Sequence, residues 1–179
     1  MTLYCKASRF NTICDEISIN TVLDELIHMN LSLNDVFLLS GPADILVHVN
    51  FKDLEEFINK WFNPIRAITA KEAMIEKTEV IEKMENLFVL SEGKLYNEEP
   101  YAFLFQNTHP INIEQVQQDL QNIPNVLSAD IVIGPYDLIT AVKAKDREDL
   151  KRLLLKIQKE VPKIQGTVTG LVASIHKNA

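Results

Sequence analysis

Two stretches decide how this chain folds. They are Gly41-Pro-Ala-Asp-Ile-Leu-Val-His-Val-Asn-Phe-Lys-Asp-Leu-Glu55 and Gly134-Pro-Tyr-Asp-Leu-Ile-Thr-Ala-Val-Lys-Ala-Lys-Asp-Arg-Glu148. They stand 93 positions apart and agree at seven of fifteen positions: the Gly, the Pro, the first Asp, one Val, the Lys, the second Asp and the Glu. Both read the same way physically. An apolar run comes first, Val36 to Leu39 in one copy and Ile131 to Ile133 in the other. Gly-Pro-x-Asp then predicts a tight turn, because Gly tolerates positive φ, Pro fixes φ and Asp can bond its own backbone. An alternating strand follows. Ile45, Val47, Val49 and Phe51 share one face, and Asp44, Leu46, His48 and Asn50 share the other. In the second copy Leu138, Thr140, Val142 and Ala144 are the inward set. Two strands joined by so short a turn predict an antiparallel hairpin.

After each hairpin a helix is expected. Asp53 precedes Glu56 by three residues and Asp146 precedes Asp149 by three. An Asp at the first position accepts from the free N–H groups of the opening turn, and acidic residues there suit the helix dipole. The apolar faces are Phe57, Trp61 and Ile65 in the first copy, and Leu150, Leu154, Ile157 and Val161 in the second. Trp61 and Phe62 read as core rather than as a cofactor platform. The helices end near Ile68 and Pro162, and each leads into a last strand, with Ile68 matching Ile164 at an offset of 96. Before the second hairpin, Ala102 to Gln106 reads as a strand, and Asn112 with Gln115 as a capping-box variant. Val116, Leu120 and Ile123 mark that helix, and Pro124-Asn125 stops it. The first half offers a helix around Thr21 to Met29, preceded by a strand at either Leu3 to Ala7 or Arg9 to Ile13.

Each half therefore reads β-α-β-β-α-β, a ferredoxin-like module. Helices on one face of a sheet leave the other face uncovered. The expected fold is α+β: two such modules packed sheet to sheet as an intrachain pseudo-dimer, of the dimeric α/β-barrel type. The expected boundaries are 1–84 and 100–179. Between them, 85–99 is a linker or an extra strand, since Leu87 to Leu90 is apolar while Glu92, Gly93, Glu98 and Glu99 are not.

Composition narrows the function classes. A chain of 179 residues with 46% hydrophobic and 24% charged residues can bury a core. Eighteen Lys plus Arg against 25 Asp plus Glu give a net charge of −7, which argues against gripping nucleic acid or an anionic membrane by the overall field. No apolar run is long enough for a transmembrane helix. Met1 to Cys14 lacks the basic start and apolar stretch of a secretory signal, so a cytoplasmic location is expected. Cys5 and Cys14 form no CxxC, and His28, His48, His109 and His176 show no HxH or HxxxH spacing. Neither a metal site nor a disulfide is expected, and no cofactor is implied.

The order of elements in the second half carries further residues: Ile123-Pro-Asn-Val126, Ile133-Gly-Pro-Tyr-Asp-Leu138, Ala144-Lys-Asp146, and Ile164 followed by Thr167-Val-Thr169. In that order and spacing, Tyr101 to His176 resembles the effector-binding (RAM) domain of the Lrp/AsnC family of regulators. Leu33 to Lys83 resembles the same domain in diverged form: Ala43 stands at the Tyr position of the turn, and Lys71 and Ala73 replace the two Thr. The family's winged helix-turn-helix has no counterpart ahead of Val36, so DNA binding is not carried over. The resemblance implies a small-molecule sensor, with amino acids as the usual ligand class and ligands held near the hairpin turns. It implies homo-oligomers.

Five residues are the candidate ligand site. Gly134 can present backbone N–H groups to a carboxylate, Asp137 can pair with an α-ammonium, and Tyr136 can supply an aromatic wall and a hydroxyl. Thr167 and Thr169 share a sheet face and can supply hydroxyls. The plainer alternatives are turn chemistry for the first three and β-propensity for the two Thr. Gly41 and Asp44 repeat the turn as a possible second site, but with Ala43, Lys71 and Ala73 around it the first half is expected to bind another ligand or none. The rival readings are an adaptor that modulates Lrp/AsnC-type regulators and a small ferredoxin-like barrel enzyme. No nucleophile–base pair or phosphate loop supports catalysis, no catalytic residue is assigned, and His48 lies on the sheet face opposite the expected core.

Overall fold

The computed structural model describes residues 4–12, 33–67 and 81–177. The chain divides into two compact units, one of Met1–Leu39, Ala43–Phe88 and Ser174–Ala179, the other of Ser40–Pro42 and Val89–Ala173.

In the first unit β1 is Tyr4–Thr12, β2 Leu33–Ser40, β3 Ile45–Val49 and β4 Ile81–Ser91. The order across the sheet is β4-β1-β3-β2. The strand β1 overlaps both positions that the sequence left open, whose outer residues Leu3 and Ile13 lie outside the described residues. The expected helix near Thr21 to Met29, Lys71, Ala73, Cys14 and the expected strand start at Ile68 lie outside the described residues. The segment Leu87 to Leu90 is the end of β4, which runs through residue 84. After β3 a helix, α1, opens at Leu54–Phe57, widens into a π-helical turn at Ile58–Phe62 and is helical again over 63–67. One face of it packs Phe57, Trp61 and Ile65 against Val36, Ile45, Val47, Val49 and Phe51. That is the set chosen by the alternation of β3.

In the second unit β5 is Ala102–Thr108, β6 Val126–Ile133, β7 Leu138–Val142 and β8 Ile164–Lys177. The order β8-β5-β7-β6 is that of a ferredoxin-like sheet, and each recorded pairing is antiparallel. Two helices, α2 (Ile113–Gln121) and α3 (Arg147–Glu160), cover one face. Ala102, Leu104, Leu138 and Val142 of the sheet meet Val116, Leu120, Leu150, Leu153 and Ile157 of the helices. Each of these Leu, Val and Ile side chains contributes roughly 1.5–3 kcal/mol on full burial. On α3 the buried residue is Leu153 rather than the expected Leu154, which is half-buried at the edge of the same cluster. The opposite sheet face is also shielded from water: Phe103, Phe105, Ile139 and Ala141 are buried.

The two hairpins pair alike. Val36 faces Val47, Phe37 faces Leu46 and Leu38 faces Ile45. Ala129 faces Thr140, Asp130 faces Ile139 and Ile131 faces Leu138, each 93 positions on. A register shift falls between Leu33 and Asp35 in one and between Val126 and Ser128 in the other, again 93 apart. The turns agree too: the Leu39 N–H donates to the Asp44 carbonyl at 2.7 Å and the Val132 N–H to the Asp137 carbonyl at 2.9 Å.

Both helix starts are capped as expected. The Glu56 N–H donates to Asp53 Oδ1 and the Asp149 N–H to Asp146 Oδ1, each at 2.8 Å. The acidic side chains answer in kind, Glu56 accepting from the Lys52 N–H and Asp149 from the Lys145 N–H. The hydrogen bond from the Lys60 ammonium and then that from the Lys52 N–H hold the Glu56 carboxyl below its ordinary range. Asp149 is lowered by the Lys145 N–H and then by Arg152. A depressed folded-state value means that stability from these groups is present above the unfolded carboxylate range and is lost as pH falls through the lower, folded values. Asp146→Ala and Asp53→Ala should each cost about 1 kcal/mol in urea unfolding at neutral pH. Glu56→Gln and Asp149→Asn should destabilise the chain at neutral pH and less so in acid, below the lowered values of these two carboxyls, and a loss that does not change with pH would contradict this account.

The second expected capping box is corrected. Asn112 makes no side-chain cap and its backbone is already helical (φ −105°, ψ −4°), whereas a cap needs an extended residue. Pro110 opens a 3₁₀ turn, Pro110–Asn112, two residues earlier, and the His109 side chain accepts from the Ile111 N–H at 3.4 Å. After β4 the chain is tied down by polar bonds. The Gly93 N–H donates to buried Asp130 at 2.6 Å, which also accepts from Ser128 Oγ at 2.9 Å. Gln117 Nε2 donates to the Ala129 carbonyl at 2.9 Å and to the Ser91 carbonyl at 3.2 Å. A Cβ on Gly93 would lie 2.6 Å from the Ala129 backbone, so only glycine allows this approach.

Candidate functional site

The turn Gly134 to Asp137 sits where β6 ends and β7 begins, and β5 anchors it. The Asp137 N–H donates to the Gln106 carbonyl at 3.0 Å, and Asp137 Oδ2 accepts from the Thr108 N–H at 2.9 Å. Asn107 Nδ2 donates to the Pro135 carbonyl at 3.3 Å. Asp137 thus bonds the neighbouring strand, not its own backbone as simple turn chemistry would have it. Its carboxylate is held in place with Oδ1 unpartnered among the described residues. The Tyr136 ring lies 5.3 Å from that of Phe105, tilted by 42°. Phe105 points to the face opposite the helices, so that face carries Tyr136. Gly134 is exposed; Tyr136 and Asp137 are half-buried.

Thr167 and Thr169 lie elsewhere. They pair with Gln106 and Leu104 of β5, whose side chains point to the helix side of the sheet. There they line a cleft of about 270 Å³ between α3 and β8, with Leu154, Ile157, Gln158 and Ile164. The five expected site residues therefore form two groups on opposite faces of one sheet. Parity along β8 correctly puts the two Thr on one face, but only the cross-strand register shows that it is not the face of Tyr136.

The sequence reading missed three residues that position these groups. Phe105 is the platform for Tyr136. Thr108 holds Asp137 by its N–H, and its hydroxyl donates to the Lys163 carbonyl at 2.8 Å. Gln106 is fully buried, and its Oε1 accepts from the Thr140 hydroxyl at 2.7 Å while its Nε2 has no partner among the described residues. A signal was present: Gln106 and Thr108 are polar at positions where the alternation of β5 demands inward side chains.

At the first hairpin turn Gly41 has φ +153° and Asp44 is half-buried. The segment Ser40–Pro42 belongs to the second unit, where a Cβ on Gly41 would lie 2.7 Å from the Thr169 carbonyl oxygen. His48 is buried and its ring meets Phe37 edge-on at 5.0 Å. Among the described residues no three His, Cys, Asp or Glu side chains converge as a metal site, and no helix is long and apolar enough to cross a membrane.

Comparison with known proteins bears on the second unit above all. Residues 102–179 match the family model of the Lrp/AsnC ligand binding domain. Over 76 residues the chain is 30% identical to an uncharacterized HTH-type transcriptional regulator, PH0140, of Pyrococcus horikoshii, covering 42% of this chain and 48% of the relative. It is 29% identical over 76 residues to a second such regulator, PYRAB01370, of Pyrococcus abyssi, again covering 42% and 48%. The chain thus spans about half the length of the curated relatives it matches. Among solved structures the siroheme decarboxylase NirDL, in co-complex with an iron-uroporphyrin III analogue, matches 97% of this chain and 72% of its own, with a TM-score of 0.63 at 9% identity. That likeness is one of fold and carries no activity across. Fold order, turn and matched sequence agree on one likeness: residues 102–179 are similar to the Lrp/AsnC ligand binding domain.

Proposed function

We propose that the second unit binds a small-molecule effector of the amino-acid class at the Gly134 to Asp137 turn, and that the chain is a regulatory protein that does not itself contact DNA. The observation that carries this reading is the ligand-binding family match on the unit where Asp137 is fixed by one carboxylate oxygen and leaves the other for a cation. The exposed Gly134 backbone suits a carboxylate, fixed Asp137 an ammonium, and Tyr136 on Phe105 a side-chain wall. Thr167 and Thr169 are separated from that turn by the sheet and take no part in this site.

A ligand that binds only the folded state adds about 2.7 kcal/mol at a hundred times its dissociation constant. Thermal unfolding should therefore be followed with each of the twenty amino acids. At least one should raise the midpoint, and Asp137→Asn should abolish that shift. The substitution keeps an oxygen for the Thr108 N–H but removes the charge. A chain that no amino acid stabilises, or an Asp137→Asn protein that responds like the parent, would contradict the proposal.

The same reading takes the chain as a duplication, with modules 1–84 and 100–179 joined by 85–99 and paired as an intrachain pseudo-dimer. Its support is the shared 93-residue register of the hairpins and the matching helix caps. Gly41 and Asp44 then mark a diverged copy of the turn.

A further inference from the structure

The cations of this acidic chain are unevenly placed. Eight of its 18 Lys and Arg fall within residues 143–163, which hold only four of its 25 Asp and Glu. The fold does not require this. The matching segment of the first unit, residues 50–67, balances Lys52, Lys60 and Arg66 against Asp53, Glu55 and Glu56. Within α3, Arg152 pairs with Asp149 at 3.3 Å and Lys156 lies 3.9 Å from Glu160. Arg147, Lys151 and Lys159 are exposed and have no acidic partner among the described residues.

Spacing puts those three cations on one rail. Arg147, Lys151, Leu155 and Lys159 follow one another at steps of four, so they share a helix face, and Leu155 in the middle is 58% exposed. The rail borders the cleft between α3 and β8: Leu154, which lines it, stands three residues after Lys151, and Gln158, which lines it too, stands three after Leu155. Among the described residues the cleft has apolar walls at Leu154, Ile157 and Ile164 and uncharged polar groups at Gln158, Gln165, Thr167 and Thr169, with no ionisable side chain. Those linings do not match the two charges of a free amino acid. A pocket for an apolar side chain beside a rail of unpaired cations is the pattern of a protein-docking site: an anchor at the centre and charge at the rim.

We propose that α3 and its cleft dock an acidic segment of a partner protein, with an apolar side chain in the cleft and carboxylates on Arg147, Lys151 and Lys159. Nucleic acid fits less well, because Leu155 and Glu148 interrupt the rail and the rest of the chain is strongly acidic. The proposal does not depend on the effector site at the turn.

The test uses a fluorescein-labelled peptide of alternating glutamates and leucines, read by anisotropy with the full chain. The peptide should bind, and its affinity should fall about tenfold or more as salt rises from ~0.05 M to ~0.5 M. Arg147→Glu with Lys151→Glu should weaken binding about tenfold or more, with the unfolding midpoint unchanged because both residues are exposed. Gln158→Trp, which crowds the cleft mouth, should weaken it too, and replacing the leucines by glycine should abolish it. Asp137→Asn should leave peptide binding intact. Absence of binding, equal binding by the double charge reversal, or tighter binding of a single-stranded oligonucleotide of equal charge would overturn the proposal.

Discussion

Gly41→Ala is expected to destabilise the chain by about 2–5 kcal/mol, the sum of two separate penalties. The first is conformational: at φ +153° an L side chain is strained whatever space surrounds it. The second is steric, because the new Cβ would sit 2.7 Å from the Thr169 carbonyl oxygen and 3.1 Å from the Gly170 Cα, backbone atoms that can yield only if β8 shifts. Gly166→Ala is the control. Nothing lies within 4 Å of its Cβ and it lies on the same strand as Thr169, so its effect should stay within about 0.5 kcal/mol. Urea unfolding of the three proteins decides the matter. Equal midpoints would mean that the turn at Gly41 does not approach β8 as described.

Trp61→Ala should cost about 3–5 kcal/mol, the usual range for deleting a large buried aromatic. The side chain is fully buried, at 0% exposure, among Val36, Ile45, Val47, Val49, Phe51, Phe57 and Ile65. It lies in the π-helical turn of α1, so the cavity forms where the helix is already irregular. Trp61→Phe refills most of the volume and should recover more than half of the loss. The reading of Trp61 as a surface platform predicts the opposite, a near-neutral Trp61→Ala with lost ligand binding. Thermal and urea unfolding of both variants distinguish the two.

What the sequence made legible was local. Gly-Pro-x-Asp carries its turn in four residues, Asp146 caps from three residues away, and the alternation of Ile45, Val47 and Val49 needs no distant partner. These features reappear in the structure at the expected positions. Where two local signals competed, the reading failed. Asn112 looked like a cap, but Pro110 fixes φ two residues earlier and starts the 3₁₀ turn before Asn112 can stay extended. The π-helical turn at Ile58–Phe62 left no trace in a pattern that Phe57, Trp61 and Ile65 satisfy at ordinary α-helical spacing.

The site was less legible than the fold because it depends on register between strands far apart in sequence. Tyr136 and Thr167 both read as polar groups in sequence, but which sheet face each reaches depends on Phe105 pairing with Val168 and Gln106 with Thr167. The bond from Thr108 to Asp137 joins residues 29 apart and follows from no spacing rule. The basic rail on α3 was diluted by the net charge of −7, which averages a local excess of cations into an acidic whole.

The claim on which the account rests is that the second unit takes a small molecule at the Gly134 to Asp137 turn. The most direct measurement is a set of amide chemical-shift maps of the labelled full chain, recorded with the amino acid that most raises its unfolding midpoint. The account predicts changes centred on Gly134, Tyr136, Asp137 and Thr108, with Thr167 and the α3 face unaffected. Changes centred on the α3 cleft, or no changes at the turn at saturating ligand, would contradict it.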